Sequence, residues 1–219
     1  MASWMVHFRI ADELMNFLEV NKEQFVVGNI GPDCGEPNED WSAFSPPASV
    51  SHWQLSSDKS EIKSEDFFQE CLQNNVDQEK KSFYLGYYIH LLTDILWSIK
   101  IVKPTKKKYQ KQFSEDKNFI WKIKEDWYDL DHKYIKNHPD FRAFRIFDKL
   151  SSFPNVYLDF YSDTAIEKRI HYISNFYNTY EGNLDREYPY LDEEQMNIFV
   201  TEAMEEILEE LRKRGLMND

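Results

Sequence analysis

The stretch that most constrains the fold is residues 83–97, FYLGYYIHLLTDILW, an apolar and aromatic run with two ionisable residues near its middle. A helix that is apolar on every side is buried in a protein core. Four residues at 100° each place His90 and Asp94 on one helix face, about one turn apart. A buried carboxylate costs several kcal/mol unless a cation or donors satisfy it. The run therefore predicts a central helix with a buried polar pair.

Two interpretations of this pair remain open at this point. A divalent metal would bind both groups, because it favours an ionised Asp94 and a neutral His90. An ion pair closed within the core is the alternative, since 39 acidic residues among 219 make one such spacing expected by chance. Gly86 lies one turn before His90, and a glycine in a helix is about 1 kcal/mol less favourable than an alanine. Gly86 therefore predicts a close approach by another segment.

The composition predicts one all-α domain over residues 1–219. This length suits a single core, and 42% hydrophobic residues exclude disorder. Only six glycines and eight prolines argue against a sandwich of many turns. Alternation of the kind found in strands is essentially absent. We therefore expect a single-domain, multi-helix bundle.

Helical periodicity and capping residues predict where the helices lie. The first runs from Trp4 to Val20, and the central helix runs from about Asp77 to Val102, stopping before Pro104. The other predicted helices cover residues 64–73, 117–136, 139–150, 164–180 and 193–214, with Asp192 as the last N-cap and Gly215 as its terminator. Residues 21–63, dense in Gly, Pro, Asn and Ser, predict a long ordered loop or a set of short turns after the first helix.

Charge and cysteine content exclude some partners and compartments. The net charge of −13 opposes a stable complex with nucleic acid and adsorption to an anionic bilayer. Cys34 and Cys71 allow at most one disulfide, and the first residues lack the pattern of a signal peptide. No stretch reaches 18 apolar residues, so we expect no transmembrane helix. These features predict a cytoplasmic protein of unspecified oligomeric state.

Further polar residues accompany the central pair. His7 lies on the core side of the first helix, Asp33 ends the motif GNIGPD, and His52 lies in SHW. Taken singly, these residues also fit a core histidine, a turn aspartate and an exposed loop histidine. In order and spacing, together with GYYIHLLTDILW, they resemble the zinc-dependent phospholipase C family over roughly residues 4–101.

The resemblance implies an all-α bundle with a multinuclear zinc site, related to the single-strand-specific zinc nucleases. The residues that would correspond to ligands of one zinc are Asp33, His52, His90 and Asp94. Asp94 would also bridge to a second zinc, for which His7 would be a ligand. By the same resemblance, Asp33 would be the catalytic partner of the attacking water. Such ligands suit one or two zinc ions, although Mn or Fe also bind mixed sites of this kind.

The sequence departs from the family pattern in two places. In secreted members the chain terminus is a ligand, with a longer spacer than the six residues before His7. Members with three metals carry another His after the His-x3-Asp motif and then a His-x3-Glu pair. None of His132, His138 and His171 has an acid four residues later. We expect His132 and His138 at the surface instead.

The chemistry expected of such a site is hydrolysis of a phosphoester bond. The substrate would be a small phosphoester or a phospholipid head group, with Trp41 and Trp53 as substrate-binding residues. Tyr87 and Trp97 more simply fill the core. Two alternatives stay open: a metal-dependent phosphohydrolase of nucleotides or other small phosphoesters, and a non-catalytic helical interaction protein with a structural metal site.

Overall fold

Helices dominate the computed structural model, which describes residues 1–39, 43–73 and 77–217. In chain order the α-helices are α1 (Trp4–Leu14), α2 (Lys22–Gly28), α3 (Ala48–Ser51), α4 (Ser64–Phe67), α5 (Gln78–Trp97), α6 (Lys103–Lys108), α7 (Gln110–Glu115), α8 (Phe119–Asn137), α9 (Arg142–Asp148), α10 (Ala165–Asn178) and α11 (Glu193–Lys213). Two-residue strands β1 (Glu36–Pro37) and β2 (Phe44–Ser45) pair antiparallel. The predicted all-α class is confirmed.

Helix α5 lies at the centre of the core, as its sequence predicts. Phe83, Tyr87 and Trp97 are fully buried along it, so the interpretation of Tyr87 and Trp97 as core residues holds. Asp77 is its N-cap and accepts a hydrogen bond from the Lys80 backbone N–H. Although α5 is largely apolar, neither it nor another helix among the described residues has the length and apolar character needed to span a bilayer.

The predicted end of the central helix before Pro104 is wrong. After Trp97 the chain continues through a π-helical stretch, Ser98–Val102, directly into α6. Pro104 lies in the first turn of α6. Pro104 has no N–H to donate to the preceding stretch, and the chain passes it where the π-helical register changes to α-helical without leaving the helical path.

Helix α2 crosses α5 at a pair of glycines. A Cβ atom added to Gly86 would lie 2.1 Å from the Phe25 carbonyl oxygen, and one added to Gly28 would lie 2.0 Å from the Phe83 carbonyl oxygen. Both distances are shorter than real Cβ contacts. The close approach predicted at Gly86 is confirmed, and it brings Asn29, at the end of α2, against the middle of α5.

The interval 21–63 contains more structure than a loop. Helix α2 lies inside it; with seven residues it is too short for helical periodicity to show in the sequence. Its Phe25, Val26 and Val27 are buried, so tertiary packing stabilises it. Beyond α2 the described residues form an ordered connection with short 3₁₀ turns at Gly31–Asp33 and Lys59–Glu61. Helix α1 also ends at Leu14, well before the predicted Val20.

Capping residues predict the last helix accurately. Asp192 and Gln195 form a reciprocal capping box at the start of α11. Gly215 follows its end with φ of 66°, a conformation that glycine adopts without steric cost. The buried residues of α11, among them Phe199 and Ile207, pack in the core with those of α1 and α5.

Candidate metal centre

Helix α5 carries His90 and Asp94 side by side, both fully buried. The His90 Nε2 atom lies 3.7 Å from Asp94 Oδ2, and it has no hydrogen-bond partner. The two groups lie within ion-pair distance but form no hydrogen bond, so the pair by itself leaves the His90 nitrogen unsatisfied.

Helix α1 places His7 directly against this pair. The His7 and His90 rings are stacked, with their centroids 3.8 Å apart and their planes 1° from parallel. His7 Nε2 is 3.8 Å from Asp94 Oδ1. His7 is fully buried, so the predicted orientation towards the core is confirmed.

The connection after α2 brings Asp33 and His52 to the same place. Asp33 ends a 3₁₀ turn, and His52 follows α3. His52 Nε2 lies 3.2 Å from Asp33 Oδ1 and 3.9 Å from Asp94 Oδ2, and the His52 ring centroid is 5.4 Å from that of His90. Because Asp33 is 8% exposed and His52 is 5% exposed, neither is a surface loop residue.

The three imidazoles leave nitrogen atoms without partners inside the protein. His90 Nδ1 lies 2.8 Å from the Asn29 carbonyl oxygen, which only accepts, so Nδ1 carries the hydrogen and Nε2 a free lone pair. His52 Nδ1 contacts Ser51 Oγ at 3.0 Å. The Nε2 atoms of His7, His52 and His90 are buried without a hydrogen bond. Each such group costs about 1–3 kcal/mol, a cost that a bound cation would remove.

Two trios of these side chains have the spacing of metal ligands. One is His7, His90 and Asp94, and the other is Asp33, His52 and His90; within each, the ligand atoms lie within 4.8 Å of one another. Nitrogen and carboxylate ligands at this spacing suit zinc, whose bonds to them are about 2.0–2.2 Å long. The unpartnered nitrogens and the ligand types therefore fit a zinc ion.

Electrostatics keeps the centre in its metal-binding protonation state. Burial lowers the pKa of His52 to about 4 and holds that of His7 well below its usual value. Burial alone would raise the pKa of Asp33 and Asp94. At Asp33 the neighbouring His52, His90 and Lys59 outweigh burial and hold the pKa of that carboxyl well below its usual range. At Asp94 the charges of Lys59 and of the chain's N-terminus do so. Neutral imidazoles beside ionised carboxylates are the forms that bind metals.

We expect His52 to make the metal-free protein less stable as the pH falls from about 6.5 to about 4. In this window the unfolded chain protonates its histidines, while His52 stays neutral in the folded state until about pH 4. His52 alone should lower the free energy of unfolding by about 2 kcal/mol between pH 7 and pH 5, and His7 adds to the effect. Urea denaturation at the two pH values measures it. Asp131, whose pKa burial raises to about 7, gains stability over the same window, so the test is the difference between the wild type and His52→Gln. An equally steep pH dependence in the variant would contradict this origin.

Neighbouring groups that the sequence did not reveal orient the two carboxylates. Trp4 Nε1 donates to Asp33 Oδ2 at 2.9 Å, and the Ala2 backbone N–H donates to Asp94 Oδ1 at 2.9 Å. Trp4 lies one turn before His7 on α1, and that spacing is the signal that could have identified it. Lys59 Nζ lies 2.5 Å from Asp94 Oδ2. Nothing in the sequence around Lys59 distinguishes it from a surface lysine.

A buried hydrogen-bond network fixes the start of α1. Asp131 on α8 accepts hydrogen bonds from Ser3 Oγ at 2.7 Å and from the Tyr177 hydroxyl at 2.9 Å. The same hydroxyl accepts from the Met5 backbone N–H. Burial raises the pKa of Asp131 to about 7. The network positions Trp4 and His7 through the helix end that carries them.

Trp53, one of the two tryptophans predicted to bind substrate, does not line the cavity that contains Asp33 and His52. Trp53 packs against Phe67 and lines a separate cavity of about 800 Å³. Its backbone has φ of 52°, which turns the chain away directly after His52. Trp41 lies outside the described residues. The substrate-binding role of both tryptophans stays a prediction.

The remaining histidines do not extend the centre. His138 is exposed, as expected. His132 is 4% exposed and stacks on Tyr180 with ring centroids 3.8 Å apart, so the expectation of a surface position for His132 is wrong. The aromatic residues of α10 and the segment after it cover this face of α8. Among the described residues, both metal-compatible trios contain His90.

Comparison with known proteins identifies the family. The sequence profile described as zinc-dependent phospholipase C matches residues 6–212. This match extends beyond the resemblance over residues 4–101 and includes the helices that follow it. Neither curated proteins nor solved structures gave a significant match. Because the profile covers nearly the whole sequence, the chain belongs to the zinc-dependent phospholipase C family.

Proposed function

We propose that this protein is a zinc-dependent phosphoester hydrolase whose active site is the centre around His90. One observation carries the proposal: three buried imidazole nitrogens without hydrogen-bond partners converge with two buried carboxylates. Lys59 pairs with Asp94, but the three nitrogens have no hydrogen-bond partner, and leaving them buried in this way is unfavourable without a bound metal ion. Membership of a zinc-dependent phospholipase family supports the same reaction class.

The residues proposed to hold the metal are His7, Asp33, His52, His90 and Asp94. His90 has one free nitrogen, which binds a single ion, so the two trios cannot both be complete at once. We therefore propose one fully ligated zinc. If a second ion bound, Asp94 would be the residue able to hold both, because its Oδ1 atom faces His7 and its Oδ2 atom faces His90.

The protein side chains have separate tasks in the proposed reaction. Zinc, when bound, lowers the pKa of a water ligand towards about 7 and polarises a phosphoryl oxygen. Asp33 stays ionised, because the neighbouring imidazoles and Lys59 hold its pKa low despite burial. It therefore accepts a hydrogen bond from the attacking water and orients it, rather than removing its proton. Trp4 fixes the carboxylate plane for this role.

A cavity of about 330 Å³ lies over this centre, lined by Asp33, His52 and Lys59 together with Phe44 and Pro47. Its charged residues lie beside the proposed metal, and its other walls include apolar side chains. We propose that the phosphoryl group binds at the charged end. The organic part of a small phosphoester or of a phospholipid head group would then contact the apolar walls.

A substrate panel tests the proposed function. Protein stripped of metal and then reloaded with zinc would be assayed on a phosphomonoester, a phosphodiester, a phosphocholine ester and a nucleotide. We expect hydrolysis of at least one, dependent on zinc and restored by its addition. Tight zinc binding without turnover of any substrate in the panel would contradict the proposal and favour a structural metal site.

A further inference from the structure

Lys59 is the unexpected charged residue of the centre. Its Nζ lies 2.5 Å from Asp94 Oδ2, and its side chain is only 17% exposed. Lys59 also lines the 330 Å³ cavity beside Asp33 and His52. Among the described residues that line this cavity, Lys59 is the only lysine or arginine.

The loop that carries Lys59 is fixed in place. Asp58 accepts hydrogen bonds from the Ser60 backbone N–H at 2.9 Å and from Ser60 Oγ at 2.8 Å. Lys103 binds both, with Nζ 2.9 Å from Asp58 Oδ2 and 2.6 Å from Ser60 Oγ. Ser98 Oγ donates to Asp58 at 3.3 Å. The 3₁₀ turn is thus anchored to the π-helical stretch after α5, so the position of Lys59 is built into the fold.

Neutralising Asp94 does not by itself account for this lysine. Asp94 already accepts the Ala2 N–H and faces three imidazoles within 4 Å. The carboxylates of Asp33 and Asp94 together balance one divalent cation. When zinc is bound, the charge of the Lys59 ammonium is therefore not balanced by these two carboxylates. This excess positive charge favours an anionic ligand.

We propose that Lys59 binds a non-bridging phosphoryl oxygen of the substrate in this cavity. The inference rests on the proposed function, since it assumes a phosphorylated ligand at the centre. A lysine ammonium recognises phosphate as a compact cation with three donors. Lys59 contacts Asp94 and also lines the cavity. A phosphoryl group bound beside the metal would therefore contact two cations, the metal ion and the Lys59 ammonium. Lys59 thereby makes the site selective for phosphoesters over uncharged esters.

Titration calorimetry of inorganic phosphate binding to the zinc-loaded protein tests this role. The zinc content of each variant is measured alongside. Lys59→Met removes the charge at similar length, Lys59→Arg retains it, and Lys63→Met is a control at an exposed lysine of the following turn. We expect Lys59→Met to keep its zinc and to weaken phosphate binding roughly ten- to a hundred-fold. Lys59→Arg should retain much of the affinity, and Lys63→Met should match the wild type.

The outcomes separate this inference from the proposed function. Wild-type protein that retains no zinc would overturn both. Zinc-loaded wild type that binds no phosphate, or Lys59→Met with unchanged phosphate affinity, would overturn the role of Lys59 alone. An increase in zinc per chain in Lys59→Met would also overturn it, because the ammonium would then occupy the place of an ion.

Discussion

Replacing His90 by alanine is expected to abolish zinc binding and phosphoester hydrolysis together. His90 belongs to both ligand trios, and the Asn29 carbonyl fixes its ring. Removing a residue that only orients a metal ligand typically weakens metal affinity 10- to 100-fold. Removing His90, which belongs to both trios, should therefore weaken zinc affinity more than about a hundred-fold. Asp94→Asn should act in the same direction without opening a cavity. Competition with a chelator measures the affinity, and steady-state kinetics measures the activity.

The matched control is His171→Ala, which removes an exposed histidine of α10. It should leave zinc content and activity unchanged. Circular dichroism of His90→Ala and Asp94→Asn must show that the helical fold is retained. If both folded variants kept their zinc and their activity, the centre proposed here would be wrong.

Gly86→Ala is expected to destabilise the protein by about 3 kcal/mol or more, although alanine favours helices by about 1 kcal/mol over glycine. The added Cβ would lie 2.1 Å from the Phe25 carbonyl oxygen and 2.7 Å from the Asn29 nitrogen, both backbone atoms. Helix α2 would have to shift, which moves the Asn29 carbonyl away from His90. Urea denaturation of the metal-free protein measures the stability. Zinc affinity should fall in the same variant.

Gly35→Ala is the matched substitution for this test. A Cβ atom there approaches nothing closer than the Ser45 carbonyl oxygen at 3.4 Å, so its stability should stay within about 1 kcal/mol of wild type. If Gly86→Ala were as stable as Gly35→Ala, the glycine crossing would not be needed to bring α2 and α5 together.

Local sequence signals predicted the elements that depend on few residues. The apolar run around His90 predicted a buried central helix, and Asp192 and Gly215 predicted the ends of α11. The spacing of His90 and Asp94 follows directly from helix geometry. Placing Asp33 and His52 beside them rested on the family resemblance, because the long connection between α2 and α4 has no periodicity that fixes its path.

The features that were missed depend on contacts between distant segments. Helix α2 forms because Gly28 and Gly86 let its backbone pack on α5, and neither glycine reveals its partner in the sequence. The path through Pro104 depends on a change of helical register that residue preferences do not encode. Lys59 reaches Asp94 across 35 residues of sequence, and its position comes from the contacts of Asp58, Ser60 and Lys103.

Anomalous diffraction at the zinc edge, from crystals of protein purified with its own metal, tests the central claim most directly. We expect a peak about 2.0–2.1 Å from His90 Nε2, with a carboxylate oxygen of Asp33 or Asp94 at about 2.0–2.2 Å. A peak found only at other histidines such as His138, or no peak even after zinc is added, would contradict the assignment of this cluster as the metal centre.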